Sequence, residues 1–198
     1  KGLESFVAAS EELKDSPYYL TDLCEMTAHY LGSKAEILTR QIDQEYLLGD
    51  TLQAHFLQSR FETFMLGMDR ILSQHPTLRL DRWVSFASKA ARTEAQRKQY
   101  EMNARRIVTV WGPPVDDYSA RMWSGLVGSY YLGRWKEYYK GRDSGKSADL
   151  SSWERKWVEE NRVYKKWNSD FDLIDFSRKM IGLSQDISSA DLLLNRPA

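Results

Sequence analysis

At 198 residues, with 42% hydrophobic and 28% charged side chains, the chain is long enough for one sizeable core and has an ordinary globular balance. Its 28 basic and 28 acidic residues cancel, which argues against duplex DNA or an anionic membrane as the dominant partner. The single cysteine, Cys24, rules out an internal disulfide framework, and no apolar run approaches the length that spans a bilayer.

The chain opens on Lys1 without a signal-like apolar segment, which reads as a cut or processed end. Ser16-Pro17 is a helix start, and Leu20, Leu23, Cys24, Thr27, Leu31, Leu38 and Ile42 follow at three- and four-residue spacings. The pattern predicts one helix from Pro17 to about Leu48, with Gly32-Ser33 as a point where it might have broken. Gly49-Asp50 is a stop followed by a cap, and Gln53 completes a capping box. Phe56, Leu57, Phe61, Phe64, Met65 and Met68 lie on one face of the next helix, which Pro76 ends.

A shorter helix is predicted over 83–91, and Thr93 with Gln96 caps another that reaches Trp111. After the Pro113-Pro114 corner, Asp116 and Asp117 stand where a cap and a first-turn acid belong. Two stripes at four-residue spacing then imply a continuous helix to about residue 140. They are Tyr118, Met122, Leu126, Tyr130 and Trp123, Val127, Tyr131, Trp135, Tyr139. Residues 141–150 read as a flexible Gly/Ser-rich loop, and Ser151 with Glu154 as a capping box for a helix near 152–167. A last helix is predicted in the tail, the terminal helices occupying 151–183. With no period-2 strand and no repeat, the expected fold is all-α: a single domain over 1–198, a bundle of about six to eight helices without significant sheet. Its core is expected to include Leu23, Leu57, Phe61, Phe64, Met68, Trp83, Leu126, Val127 and Tyr131.

No self-contained catalytic constellation emerges. Asp116-Asp117 is the one tempting acidic pair, but neighbours at a helix start point apart, and capping explains both. Glu11-Glu12 and Glu159-Glu160 lie on polar helix faces. His29, His55 and His75 are far apart and make no ligand spacing, so no metal is expected. Cys24 sits on an apolar stripe, the setting of a buried inert thiol. Trp135, Trp153, Trp157 and Trp167 beside Arg134, Lys136, Arg155 and Lys156 have the composition of a single-strand binder. Glu137, Glu154, Glu159 and Glu160 dilute that charge, so no nucleic acid partner is expected.

Two segments carry more specific information: YEMNARRIVTVWGP at 100–113 and DYSARMWSGLVGSYYLGRW at 117–135. Together with YYLTDLCEM at 18–26, they resemble the C-terminal helical region of α-N-acetylglucosaminidases, glycoside hydrolase family 89. The resemblance covers about 17–140. It implies a parent protein with a small α/β domain, a (β/α)₈ barrel and this helical domain. It also implies retaining, exo-acting hydrolysis of terminal α-linked N-acetylglucosamine by two barrel glutamates absent from this chain. No catalytic residue is therefore expected here, and no cofactor. The resemblance further implies that Trp111 helps to wall the sugar pocket with Val115 beside it, supported by the corner residues Gly112, Pro113, Asp117 and Tyr118.

By position alone, Trp111 is equally a core residue at a helix end. The partners expected are the barrel of the same polypeptide and a glycan ending in α-N-acetylglucosamine, with no membrane. Excision is expected to leave an aromatic face around Trp111, Tyr130, Trp135 and Tyr138, open to self-association. The other function compatible with the composition is a stand-alone helical module binding glycan or protein. The absence of any Asn-x-Ser/Thr acceptor favours a bacterial source, hence a secreted, periplasmic or cell-surface enzyme rather than a lysosomal one.

Overall fold

The computed structural model describes residues 2–112, 119–160, 167 and 171–188. Among these residues the chain is all-α, with nine α-helices, one π-helical segment and no strand. It divides into two compact units, Lys1–Pro76 with Asn168–Ala198, and Thr77–Trp167.

The first unit is built on a long helical hairpin. Two short helices, α1 (Gly2–Ala8) and α2 (Ser10–Leu13), precede α3 (Pro17–Leu48). They are additional to the helices that the periodicity predicts. Ser16 is extended, its hydroxyl accepts from the Tyr19 N–H at 3.5 Å, and Pro17 takes a first-turn position where no N–H is needed. The helix passes through Gly32-Ser33 because its buried row, Thr27, Ala28, Leu31, Ala35, Leu38 and Ile42, continues on both sides. Gly49 ends it in the left-handed region, at φ 80°. Asp50 then accepts from the Gln53 N–H at 2.9 Å and starts α4 (Thr51–Leu72).

The return is antiparallel. Gln58 donates to the Tyr46 hydroxyl at 2.7 Å near the turn, and the Cys24 thiol reaches the Ile71 carbonyl at 3.5 Å near the open end. Helix α4 stops at Leu72, four residues before Pro76, where the Ser73 hydroxyl donates to the Arg70 carbonyl. The hairpin buries Leu23, Leu57, Phe61, Phe64 and Met68, as expected. Helix α9 (Leu173–Gly182), capped by Asp172, packs on it and places Ile181 with Val7, Tyr19 and Leu23. Contacts that tie down the following turn include Lys34 donating to the Ile187 carbonyl at 2.7 Å and Arg60 pairing with Asp186 at 2.7 Å.

The second unit departs further from the predicted elements. Helix α5 runs Leu80–Lys89, three residues ahead of the predicted start. Helix α6 (Glu94–Ile107) has its expected cap, Thr93 accepting from the Gln96 N–H at 3.2 Å. It stops four residues short of Trp111. The continuous helix expected beyond the corner is absent over 119–125, where Ser124 forms an isolated parallel bridge with Arg79. A π-helical segment, Leu126–Tyr131, feeds directly into α7 (Leu132–Ser144). The segment holds one residue more per turn than an α-helix, so the predicted stripes lose register. Leu132, in neither stripe, is buried, and Tyr131 is only half-buried.

Residues 141–150 are also not simply a loop. Helix α7 continues to Ser144 and ends at left-handed Gly145, φ 66°. Asp149, not Ser151, caps α8 (Leu150–Glu159) by accepting from the Ser152 N–H at 3.0 Å. The core holds Leu80, Val108, Leu126, Tyr130, Trp157 and Val158, with Trp83, Tyr131 and Trp153 packed partly buried against it. Trp83 is held at the margin because its indole N–H donates to the Ala104 carbonyl at 2.8 Å.

Helices α7 and α8 approach closely at Gly133. A Cβ there would lie 2.6 Å from Cζ2 and 3.0 Å from Cη2 of Trp153, a rigid ring that cannot swing its far end away. Gly133→Ala is therefore expected to destabilise the chain by about 1–3 kcal/mol in denaturant melts. Gly182→Ala, with no heavy atom within 4 Å of the added Cβ, is expected to be neutral or stabilising by up to about 1 kcal/mol. Equal losses at both positions would contradict this packing.

Candidate functional site

The corner that carries the candidate residues is positioned by α6. One face of this helix bears charges at four-residue spacing: Arg97, Glu101 and Arg105. Glu101 is buried and accepts from the Ser88 hydroxyl at 2.6 Å and from Arg97 Nη1 at 3.0 Å, which joins α5 to α6. Arg105 is buried too, and its Nε donates to the Val158 carbonyl at 2.9 Å, which joins α6 to the end of α8. Both residues belong to the motif that carries the resemblance. Their joining roles were not assigned from the sequence; the four-residue charge spacing was the available signal.

At the end of α6 the buried Thr109 hydroxyl donates to the Arg105 carbonyl at 2.8 Å, satisfying one of the orphaned last-turn acceptors. The Trp111 N–H donates to the Arg106 carbonyl at 2.9 Å and closes the turn. This geometry puts Trp111 itself at φ +42°, among the described residues the one non-glycine with positive φ. The left-handed region is unfavourable for a bulky side chain, and such outliers persist where the surroundings over-determine them, commonly at binding sites. Its side chain is 42% exposed, so it is not the core residue that position alone allowed. Gly112 is half-buried beside it. Pro113, Val115, Asp117 and Tyr118, with Asp116, lie outside the described residues.

The expected aromatic face is only partly present. Tyr130 is fully buried, with its ring centroid 4.9 Å from that of Trp157 in an edge-on arrangement, so it belongs to the core. Its place in the π-helical turn directs it inward. Trp135 and Tyr138 are half-buried and pack edge-on at 5.6 Å, while Trp135 stacks on buried Tyr139 at 5.6 Å.

The remaining candidates for chemistry are accounted for structurally. Trp157 is a core residue, Arg134 pairs with Glu154, and Lys156 lies 3.7 Å from Glu160. His29 and His55 are exposed, and buried His75 contacts Glu25 at 3.0 Å. Among the described residues no group of three or more His, Cys, Asp or Glu side chains is placed to hold a metal ion. No helix there is long and apolar enough to cross a membrane.

Burial, with Glu25 adding to it, pushes the Cys24 thiol up to about 12. An unfolded cysteine ionises near ~8.5. The stability linked to this group is thus full below that value and is lost as pH rises towards 12. At pH 8 Cys24 is expected to resist thiol reagents in the folded chain and to react fully on unfolding; native-state labelling at a free-thiol rate would contradict its burial.

The class defined by these observations is an all-helical domain that presents a strained, exposed tryptophan. The sequence profile described as the α-N-acetylglucosaminidase (NAGLU) C-terminal domain matches residues 1–184, a wider span than the 17–140 of the initial resemblance. The chain belongs to this family. It is 28% identical over 135 residues to the α-N-acetylglucosaminidase of Homo sapiens, covering 66% of this chain and 18% of that protein. Its fold is that of part of a family 89 glycoside hydrolase from Clostridium perfringens, solved in complex with 2-acetamido-1,2-dideoxynojirmycin. There the TM-score is 0.83 at 24% identity, over 94% of this chain and 23% of that one. The same enzyme with PUGNAc gives a TM-score of 0.82 at 24% identity, over 96% and 23%. The chain thus spans about a fifth of the length of these relatives.

The strain at Trp111 can be tested without any substrate. A left-handed residue with a Cβ costs about 1–2 kcal/mol relative to glycine, against about 0.5–1 kcal/mol of extra chain entropy for glycine. Trp111→Gly is therefore expected to be at least as stable as Trp111→Ala, and by up to about 1 kcal/mol more stable. The reverse order, as at an ordinary helical site, would remove the strain.

Proposed function

We propose that this chain is the C-terminal accessory domain of a retaining, exo-acting α-N-acetylglucosaminidase. It packs on the (β/α)₈ catalytic barrel of the same polypeptide and supplies Trp111 to the wall of the pocket for terminal α-linked N-acetylglucosamine. The two catalytic glutamates, one nucleophile and one acid/base, belong to the barrel. Membership of the family supports the domain assignment. The single observation that carries the site is Trp111: an exposed indole held at φ +42° on the end of a helix that two buried charged residues anchor.

An indole offers a flat, rigid, apolar surface to the C–H face of a sugar, and fixing it in advance removes part of the ordering entropy of binding. Val115, Gly112, Pro113, Asp117 and Tyr118 complete the corner in this reading. In this reading the enzyme acts outside the cytoplasm, secreted, periplasmic or at the surface of a bacterial cell, with the lysosome as the animal counterpart; its expected substrate, the terminal sugar of a glycan, supports that.

Kinetics on the complete enzyme test the reading, with the 198-residue chain alone as control. The isolated chain is expected to leave a chromogenic α-N-acetylglucosaminide at the buffer rate, since the barrel carboxylates are absent. In the complete enzyme Trp111→Ala is expected to lower kcat/KM on the order of tenfold to a hundredfold, about 1–3 kcal/mol of transition-state binding. Thermal stability should change less than for a core tryptophan, because a partly exposed ring leaves a smaller cavity. A fall in stability with unaltered kinetics per folded molecule would make Trp111 purely structural.

A further inference from the structure

The turn of the α3–α4 hairpin carries four large apolar side chains in the open. Leu47 is 80% exposed, Leu48 60%, Leu52 83% and Phe56 57%. Leu52 and Phe56 are four residues apart and share a face of α4, while Leu47 and Leu48 end α3 on the other side of left-handed Gly49. Elsewhere on α3 and α4 the apolar stripe is turned inward, apart from Tyr18 and Met26 of α3, which are also exposed. Four such side chains gathered at one tip concentrate exposed apolar surface, and such concentrations mark interaction surfaces.

The charges around the patch narrow the occupant. Residues 41–59 contain Asp43, Glu45 and Asp50 and no Lys or Arg. A second copy joined by a two-fold axis would set this acidic segment against itself, which opposes association. The relatives are about four times as long as this chain, so most of such a polypeptide lies outside these residues and at high effective concentration.

We infer that the Leu47-Leu48-Leu52-Phe56 tip docks in cis, onto an apolar surface with basic flanks in the part of the polypeptide outside these 198 residues. This inference rests on the reading of the chain as one domain of a longer enzyme, and assigns a docking face to the tip of the α3–α4 hairpin.

Hydroxyl-radical footprinting of the complete wild-type enzyme tests it, at a dilution where light scattering gives the monomer mass. Oxidation of Leu52 and Phe56 is compared with the same residues in the heat-unfolded protein. Loss of oxidation at both in the folded monomer is the expected result. Oxidation at the unfolded-chain rate would overturn the inference, and so would protection present only in a concentrated dimer, which would make a second copy the occupant. The double variant L52Q/F56Q, altered only at exposed positions and adding no tryptic site, should release a helical fragment of about 23 kDa faster under limited trypsin digestion than the wild type. Release at the wild-type rate counts against docking. Assaying turnover on the same preparation separates the two claims: an active enzyme with labelled Leu52 loses only the docking face, and an inactive one with protected Leu52 loses only the enzymatic reading.

Discussion

A buried guanidinium organises residues 77–167. Arg105 sits inside the unit and gives its Nε hydrogen to the Val158 carbonyl at the end of α8, satisfying a last-turn acceptor with a charged donor. Helix α6 is thereby fixed against α8, while its neighbour Glu101, through Ser88, and Ala104, through Trp83, fix it against α5. The aromatic core of Tyr130 and Trp157 fills the space beside these joints. Because α6 is held at several points, its C-terminal end has little freedom. The backbone beyond Ile107 must turn within a few residues, and the conformational cost falls on Trp111.

The other unit depends on a different constraint, the burial of one face along two long helices. Leu23, Leu31, Leu38 and Ile42 of α3 and Leu57, Phe61, Phe64 and Ile71 of α4 are nearly inaccessible to water. Burial of this extent is the principal favourable term in folding. It carries α3 past a glycine that would weaken an isolated helix. Capping then fixes where each helix begins: Ser16, Asp50 and Asp172 each accept a hydrogen bond from the first turn that follows.

In the proposed reading the domain divides labour with a larger enzyme. Helices pack into a rigid support, and the residue offered to a ligand stands on the connection at a helix end, where backbone geometry is no longer fixed by the helical repeat. Family membership and the exposed indole agree with that division. In that reading the supporting layer needs shape and stiffness, and its buried charges, Glu101 and Arg105, are engaged in holding helices together.

The sequence by itself determined the features that depend on local periodicity and local hydrogen bonding. The helical class, the span of α3 to Leu48, the caps at Ser16, Asp50 and Thr93, and the buried row of α4 all follow from spacing and cap chemistry within a few residues. The motif around Trp111 was legible only through its resemblance to a known family, since by position alone Trp111 is equally a core residue. Tertiary structure alone decided the division at Pro76 and Thr77, the end of α6 at Ile107 and the π-helical turn that buries Tyr130 and Leu132. It also decided the left-handed Trp111. A sequence rule would assign positive φ to Gly112 next to it, since glycine adopts it without strain. The indole took that conformation instead because the turn must return the Trp111 N–H to the Arg106 carbonyl from a helix already locked elsewhere. Contacts distant in sequence, such as Arg105 with Val158, impose that lock, and no local pattern encodes them.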